Sequence, residues 1–161
     1  RGLTEVDEGG VTVDPPVLAV WTDAAVAPPG WFRAVLERGA ALLSVPQTAE
    51  DARVMAAYQQ LDVETVEEAP VKDFSLLTDI DFEDPLFATF VEARFADFTG
   101  IHFWKHRRIK IGKNFLERVL ARFDDGDPGV IYQTLGAGRT WMLTSGWHSA
   151  DSQLARCARR P

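Results

Sequence analysis

Cysteine is almost absent from this sequence, and its scarcity excludes two kinds of protein. Cys157 is the single cysteine in 161 residues, so the chain forms no internal disulfide and no zinc site built on several cysteines. Apolar runs of about 18 residues, the length of a membrane-spanning helix, are also missing. No signal-peptide pattern opens the sequence. We therefore expect a domain that does not insert into a membrane by itself.

Positively charged residues are also scarce relative to negatively charged ones. Lysine and arginine number 17 against 24 aspartate and glutamate residues, which gives a formal net charge of -7. A surface of this sign does not attract nucleic acid through charge alone. One basic cluster stands out, and it consists of Lys105, Arg107, Arg108, Lys110 and Lys113. Strand alternation would divide these cations between two faces, so we interpret them as a solvated face or an interdomain contact and expect no nucleic-acid partner.

The first half of the chain alternates apolar runs with helical patterns. Val17–Trp21 and Ala41–Val45 are continuous apolar runs, which predicts two strands buried on both faces. Between them, Pro28 opens a helical stripe that ends at Gly39. Thr48 is a predicted helix N-cap with acidic residues in the first turn after it. Strands that alternate with helices indicate a parallel sheet with helices on its faces.

The middle of the sequence is less regular. Residues 63–69 carry three glutamates, which indicates a solvated loop or an edge strand, and Pro85 predicts the start of a helix over 86–96. Aromatic residues crowd positions 82–104, and we interpret them as core because aromatic rings bury large apolar areas. Alternation across Ile101–Ile111 predicts one long strand with a partly basic face.

A β-meander is predicted over residues 118–145. Its three segments are rich in β-branched and aromatic residues, which suit a pleated, half-buried sheet. The segments Asp124–Pro128 and Gly136–Gly138 separate them and supply the residues that tight turns require. We therefore expect a mixed sheet, parallel in the N-terminal half and antiparallel in this C-terminal meander.

Four segments resemble one known kind of domain. They are residues 81–87, 94–108, 119–128 and 144–154, which read DFEDPLF, RFADFTGIHFWKHRR, VLARFDDGDP and TSGWHSADSQL. Together they resemble the class I glutamine amidotransferase-like domain of large membrane proteins from planctomycete-type bacteria. In those proteins the domain follows a BatA-type membrane segment and a von Willebrand factor A domain. The resemblance is strongest after residue 80.

The resemblance implies a three-layer, flavodoxin-like α/β fold for a single domain, residues 1–161, that is a fragment of a larger membrane-anchored protein. Enzymes of this family carry a nucleophilic cysteine on a strand-to-helix elbow. The elbow corresponds to Leu43–Gln47, which has no cysteine, and Cys157 lies in a basic tail instead. We therefore expect a noncatalytic domain without a cofactor, which binds other domains of its parent protein or a protein partner.

One constellation keeps an enzymatic alternative open. The segment 147–151 follows the last predicted strand, at the edge where α/β sheets gather ligands. His148 and Asp151 could serve as base and orienter for a serine such as Ser44, in a hydrolase or transferase acting on a small polar substrate. In the other interpretation, this segment is a helix N-terminus, with Ser149 or Asp151 as the cap and His148 hydrogen-bonded to the backbone. Trp147, Ser145 and Gln47 are candidate ligand-binding residues at this edge.

Three carboxylates in the first turn of the meander could hold a cation. Asp124, Asp125 and Asp127 lie within one short segment. An EF-hand loop, however, spreads its calcium ligands over about 12 residues and ends in a bidentate glutamate. The sequence Asp-Asp-Gly-Asp-Pro-Gly is better explained by the chemistry of a hairpin turn. We therefore predict no metal here.

Overall fold

Two β-sheets and three helices make up the described part of the chain. The computed structural model describes residues 18–88, 100–113 and 118–154, and all structural statements concern these residues. In chain order the elements are β1 (Leu18–Trp21), α1 (Gly30–Glu37), β2 (Ala41–Ser44), α2 (Ala49–Gln59), β3 (Val63–Glu68), β4 (Leu77–Ile80), α3 (Pro85–Ala88), β5 (Arg107–Ile111), β6 (Arg118–Phe123), β7 (Pro128–Leu135) and β8 (Gly138–Leu143).

The larger sheet has six strands in the order β1-β2-β8-β7-β6-β4. β1, β2 and β8 run parallel, with Leu18 opposite Ala41 and Ala41 opposite Arg139. The remaining neighbours in this sheet, from β8 to β4, are antiparallel. β3 and β5 form a separate antiparallel pair. The parallel pairing of the first two strands and the meander over 118–143 are therefore as the sequence predicts.

Local sequence explains where the two longer helices begin and end. The Thr48 hydroxyl accepts a hydrogen bond of 3.1 Å from the backbone N–H of Asp51, and the Asp51 carboxylate accepts one of 3.0 Å from the N–H of Thr48. This capping box satisfies two N–H groups at the start of α2 and confirms the predicted N-cap. Gly39 follows α1 with a φ of 122°, a value that glycine adopts without strain.

Both longer helices pack on the same face of the large sheet. Leu42 lies opposite Thr140, and Met142 is on the same face because side chains alternate along a strand. The shared core cluster contains Phe32, Val35 and Leu36 from α1, Ala52, Met55 and Ala56 from α2, and Leu42, Ile131, Leu135 and Met142 from the sheet. Burial of these apolar side chains fixes the two helices on the sheet.

A second apolar cluster covers the opposite face. Val130 belongs to it and points away from the neighbouring Ile131. Phe87 from α3 and Phe103 from the following loop pack here, and the rings of Phe103 and Phe123 meet edge to face with centroids 5.2 Å apart. Aromatic side chains and a helix of a single turn therefore cover this face.

The predicted three-layer, flavodoxin-like α/β fold is wrong. Strands and bridges account for 38% of the described residues and helices for 20%, whereas a three-layer fold needs helices on both faces of its sheet. Here both longer helices lie on one face. After α2 the chain also enters the small sheet instead of another strand and helix of a parallel sheet, so the alternation over 17–61 does not continue.

Two finer predictions are also wrong. β1 is an edge strand in which Leu18 is 63% and Val20 is 50% exposed, so it is not buried on both faces. The long strand predicted over 101–111 is reduced to β5, because the consecutive residues His106 and Arg107 are both buried and alternation fails there. The helix predicted over 86–96 is described only to residue 88, and Cys157 lies outside the described residues.

Candidate functional site

The carboxyl ends of β2 and β8 meet at one edge of the large sheet, because the two strands are parallel neighbours. Residues 44–48, 105–107 and 144–152 come together there, and we call them the sheet-end cluster. Gly146 lies at its centre, since a side chain at that position would overlap the Asp151 carboxylate and crowd Oε1 of Gln47. The cluster includes the candidates Ser44, Gln47, Ser145, Trp147, His148 and Asp151.

Arg107 contacts three different segments at the sheet-end cluster. It is 2% exposed, and its Nη2 donates to the backbone carbonyl of Gln47. The same nitrogen is 3.5 Å from Asp151 Oδ2, and Nε is 3.3 Å from Glu68 Oε2, an ion contact without hydrogen-bond geometry. One buried guanidinium therefore ties together the ends of β2 and β3 and the loop after β8.

The carboxylate of Asp151 pairs with two cations and not with the imidazole of His148. Its carboxylate, 9% exposed, lies between Arg107 and Lys105, whose Nζ is 3.6 Å from Oδ1. Its backbone carbonyl accepts hydrogen bonds from the N–H groups of Trp104 and Lys105. These contacts hold the loop after β8 against the segment that leads into β5.

His148 lies on the surface of that loop. Its Nδ1 accepts a hydrogen bond of 3.1 Å from the N–H of Ala150, and its carbonyl accepts from the N–H groups of Asp151 and Ser152. The side chain thus stabilises a turn, and the described hydrogen bonds do not join its imidazole to the Asp151 carboxylate.

Ser44 is fully buried at the end of β2. Its Oγ accepts a hydrogen bond of 2.6 Å from Nε2 of Gln59 in α2. The side chains of Ser44, His148 and Asp151 therefore have three separate sets of partners within the described residues, although they lie at the same edge of the sheet.

The three candidate ligand-binding residues differ in their exposure. Ser145 is buried and donates to the carbonyl of Lys105 over 2.7 Å. Gln47 is partly buried, and its Nε2 donates to the carbonyl of Val45. Trp147 is 39% exposed. Of the three, the Trp147 ring therefore presents the most open surface to an incoming molecule.

The aspartates of the meander turn gather around a buried histidine. Asp124 Oδ1 accepts a hydrogen bond from the N–H of Leu76 and so holds the turn against the residue that precedes β4. Asp125 Oδ2 and Asp127 Oδ2 lie 3.2 and 3.1 Å from Nε2 of His106, which is fully buried. We call His106, Asp125 and Asp127 the turn cluster. The contribution of His106 was not predicted, because no local pattern connects residue 106 with a turn at 124–127.

Arg108 places a positive charge beside the carboxylates of the turn cluster. Its Nε lies 3.0 and 2.9 Å from the two oxygens of Asp127, and its Nη1 is 3.8 Å from Glu67 in β3. The hydrogen bond to Asp127 and the charge of that carboxylate raise the pKa of Arg108 above its ordinary value. The predicted basic cluster is therefore largely paired, since Lys110 also forms an ion pair with Glu64.

A groove of about 490 Å³ runs between α2 and β3. Its lining combines small or apolar side chains with a charged rim, and consists of Arg53, Ala56, Ala57, Leu61, Val63, Glu64, Thr65 and Val66. Nη2 of Arg53 donates to the carbonyl of Val66 over 2.6 Å. The sequence does not predict this groove, because its two walls come from elements whose packing is not visible in local patterns.

Within the described ranges, every helix is too short or too polar to cross a bilayer. No protein-family profile and no curated protein sequence matches the chain.

Two solved structures from Salmonella typhimurium are similar in fold. Cytoplasmic Protein STM3548 aligns with a TM-score of 0.55 and 12% identity, over 80% of this chain and 60% of that one. Cytoplasmic Protein STM1381 from strain LT2 aligns with a TM-score of 0.53 and 16% identity, over 77% of this chain and 52% of that one. The chain thus spans a little over half the length of these structures. At such identities the similarity concerns the fold alone.

Proposed function

We propose that this chain is a noncatalytic binding domain that recognises a protein segment. The observation that carries the proposal is that the side chains of Ser44, His148 and Asp151 have different sets of partners. The polar end of the sheet then serves to hold loops together, and the groove between α2 and β3 is left as the surface for a ligand.

The chemistry of the sheet-end cluster supports the first part of this proposal. An activated serine needs a base within about 2.6–3.2 Å of its hydroxyl. Ser44 is fully buried and bonded to Gln59 instead. Asp151 is partly neutralised by Arg107 and Lys105, so it is poorly placed to orient His148. These contacts do not favour the alternative of a hydrolase or transferase.

The groove beside β3 supports the second part. β3 has one strand neighbour, β5, within the described ranges, so its other edge faces α2 and the groove. An edge strand next to small and apolar side chains suits an extended peptide, which pairs its backbone with the strand. Glu64 and Glu67 of β3 already face Lys110 and Arg108, so the preference for a basic segment rests on the net charge of -7.

The source of that segment is either another domain of a larger protein or a separate protein. The membrane-anchored parent protein implied by the sequence resemblance stays a prediction.

Enzyme assays test the absence of catalysis. Glutaminase and esterase activities are measured for the wild type, His148→Ala and Ser44→Ala. We expect all three to stay at the rate of a blank without protein. An activity of the wild type that His148→Ala abolishes, while circular dichroism shows an intact fold, overturns the proposal.

A peptide-display library panned on the immobilised chain tests binding. We expect enrichment of basic, extended peptides whose affinity falls at least tenfold in Ala57→Arg, because the new side chain fills the groove and repels cations. Ala34→Arg is the matched control, since Ala34 is an exposed alanine on α1. The groove is not the binding surface if enriched peptides bind both variants as tightly as the wild type. The binding proposal fails if no peptide is enriched.

A further inference from the structure

We propose that the turn cluster, His106, Asp125 and Asp127, binds a divalent transition-metal cation, with Zn²⁺ as the leading candidate. One ligand atom from each residue lies within 4.8 Å of the other two. Zinc binds imidazole nitrogen and carboxylate oxygen at about 2.0–2.2 Å, and at tetrahedral angles this places neighbouring ligand atoms roughly 3.3–3.6 Å apart. The distances of 3.2 and 3.1 Å from His106 Nε2 to the two carboxylates are a few tenths of an ångström shorter, so a small outward movement of the carboxylates accommodates the ion.

The fold holds these ligands close together without a metal ion. His106 directly precedes β5 and is fully buried, with its ring centroid 4.2 Å from that of Phe123. The N–H of Asp127 donates to Asp125 Oδ1 over 3.0 Å, and Gly126 takes a φ of 89° between them. The two carboxylates are therefore fixed by one tight turn, and the imidazole is fixed by packing. Binding requires little ordering of side chains, which favours affinity.

The charge of the turn cluster also favours a cation. Asp125 and Asp127 are two carboxylates, whereas His106 offers them at most one hydrogen, at Nε2. Arg108 compensates Asp127 closely, but its Nη2 lies 3.9 Å from Asp125 Oδ2. Asp125 is thus the less compensated carboxylate, and a divalent ion would balance both.

Arg108 occupies the position of a competing cation. Its side chain is 38% exposed and lies within 3.8 Å of Glu67, which can receive the guanidinium when it leaves Asp127. Metal binding is therefore an exchange, in which the ion takes Asp127 and Arg108 turns to Glu67. This exchange predicts that removing Arg108 strengthens metal binding, an effect opposite in sign to the loss of a ligand.

Nδ1 of His106 limits the affinity. A metal on Nε2 leaves the ring hydrogen on Nδ1, which is buried and has no hydrogen-bond partner among the described residues. Metal-binding histidines usually donate this hydrogen to a carboxylate or carbonyl, and loss of such a partner costs about 10–100-fold in affinity. We therefore expect reversible binding that a chelator removes.

The experiment is calorimetric titration of the tag-free 161-residue chain with Zn²⁺, with Mg²⁺ as the comparison. We expect one Zn²⁺ per chain, a higher Tm in its presence, and no measurable heat with Mg²⁺, since imidazole suits transition metals. Co²⁺ in place of Zn²⁺ should give a visible absorption band that reports its ligands.

Three variants separate this site from adventitious binding. Asp125→Asn is expected to weaken Zn²⁺ binding at least tenfold, and Arg108→Gln to strengthen it severalfold. Asp124→Asn, on the same turn but bonded to Leu76, is the matched control and should bind like the wild type. Equal affinities of Asp125→Asn and Asp124→Asn, or no binding by the wild type, overturn the proposal. These variants alter side chains on a turn and at a strand surface, so the test does not depend on a variant of buried His106.

Discussion

The guanidinium of Arg107 lies 3.5 Å from the carboxylate of Asp151, and the two side chains are 2% and 9% exposed. This ion pair joins β5 of the small sheet to the loop that follows the last strand of the large sheet. Because neither charge reaches much water, each depends on the other for its solvation. The pair therefore couples the two sheets.

Asp151→Asn is expected to lower the free energy of unfolding by about 3 kcal/mol, as removal of one partner leaves a buried charge. Glu68, 3.3 Å from Arg107, limits the loss. Glu50→Gln is the control, because the Glu50–Arg53 pair is exposed and should contribute less than about 1 kcal/mol. Urea unfolding measures both values, and equal losses would show that burial of the pair has no effect.

Thr48→Ala is expected to cost about 1 kcal/mol through loss of the capping box of α2. The variant loses the hydroxyl that accepts the N–H of Asp51. Thr22→Ala, at an exposed threonine between β1 and α1, should stay within about 0.5 kcal/mol of the wild type. Urea unfolding again provides the comparison, and a Thr48→Ala variant as stable as Thr22→Ala contradicts the role of the cap.

Gly138→Ala is expected to destabilise the fold by more than about 2 kcal/mol, since the new methyl group overlaps the backbone carbonyl of Leu36. Gly30→Ala adds the same group at the start of α1, where nothing lies within 4 Å. It should be neutral or stabilising by up to about 1 kcal/mol. Thermal unfolding of both variants tests this contrast, which fails if their Tm values shift alike.

Tyr58 is expected to make the fold sensitive to alkaline pH. Burial raises the pKa of its phenol, an effect that the nearby Arg33 charge opposes and the Glu37 charge assists. The unfolded state therefore loses the phenol proton at a lower pH than the folded state. The contribution of Tyr58 to stability is complete below the ordinary pKa of about 10, and it is lost as the pH rises through the raised pKa of the folded state.

Tyr58→Phe isolates this effect. The Tyr58 hydroxyl is buried without a hydrogen-bond partner among the described residues, so the variant should be at least as stable as the wild type at neutral pH. Above pH of about 10 it should lose less stability, as judged by urea unfolding at several pH values. If the wild type and Tyr58→Phe lose the same amount of stability at alkaline pH, Tyr58 is not the source of that loss.

The parts of the fold that can be predicted from the sequence are those fixed by contacts between residues close together along the chain. The capping box at Thr48 and the glycine after α1 act through residues at most a few positions apart. The meander is similar, because each turn joins strands that follow one another along the chain. The three-layer fold is what the family resemblance implies, and the strand–helix alternation before Leu61 agrees with it only locally. β3 pairs with β5, which lies far along the chain. The periodicity of the sequence carries no information about that pairing.

The candidate sites show the same limit. Proximity of Gln47, Ser145 and Asp151 follows from two strands ending at one edge. The role of Arg107 as the partner of Asp151 does not, because an arginine in an alternating basic segment is typical of an exposed face. His106 shares this difficulty, since only the packed structure brings it to the aspartates of the meander turn.

The pairing of β2 between β1 and β8 also constrains synthesis of the chain on the ribosome. Ala41 finds its partner Arg139 only after nearly all of the described residues have been made. Until then one edge of β2 has unpaired backbone groups, and such edges can associate with other chains. A nascent chain that ends before β8 is therefore at risk of aggregation, and pauses in translation between β2 and β8 would prolong that risk.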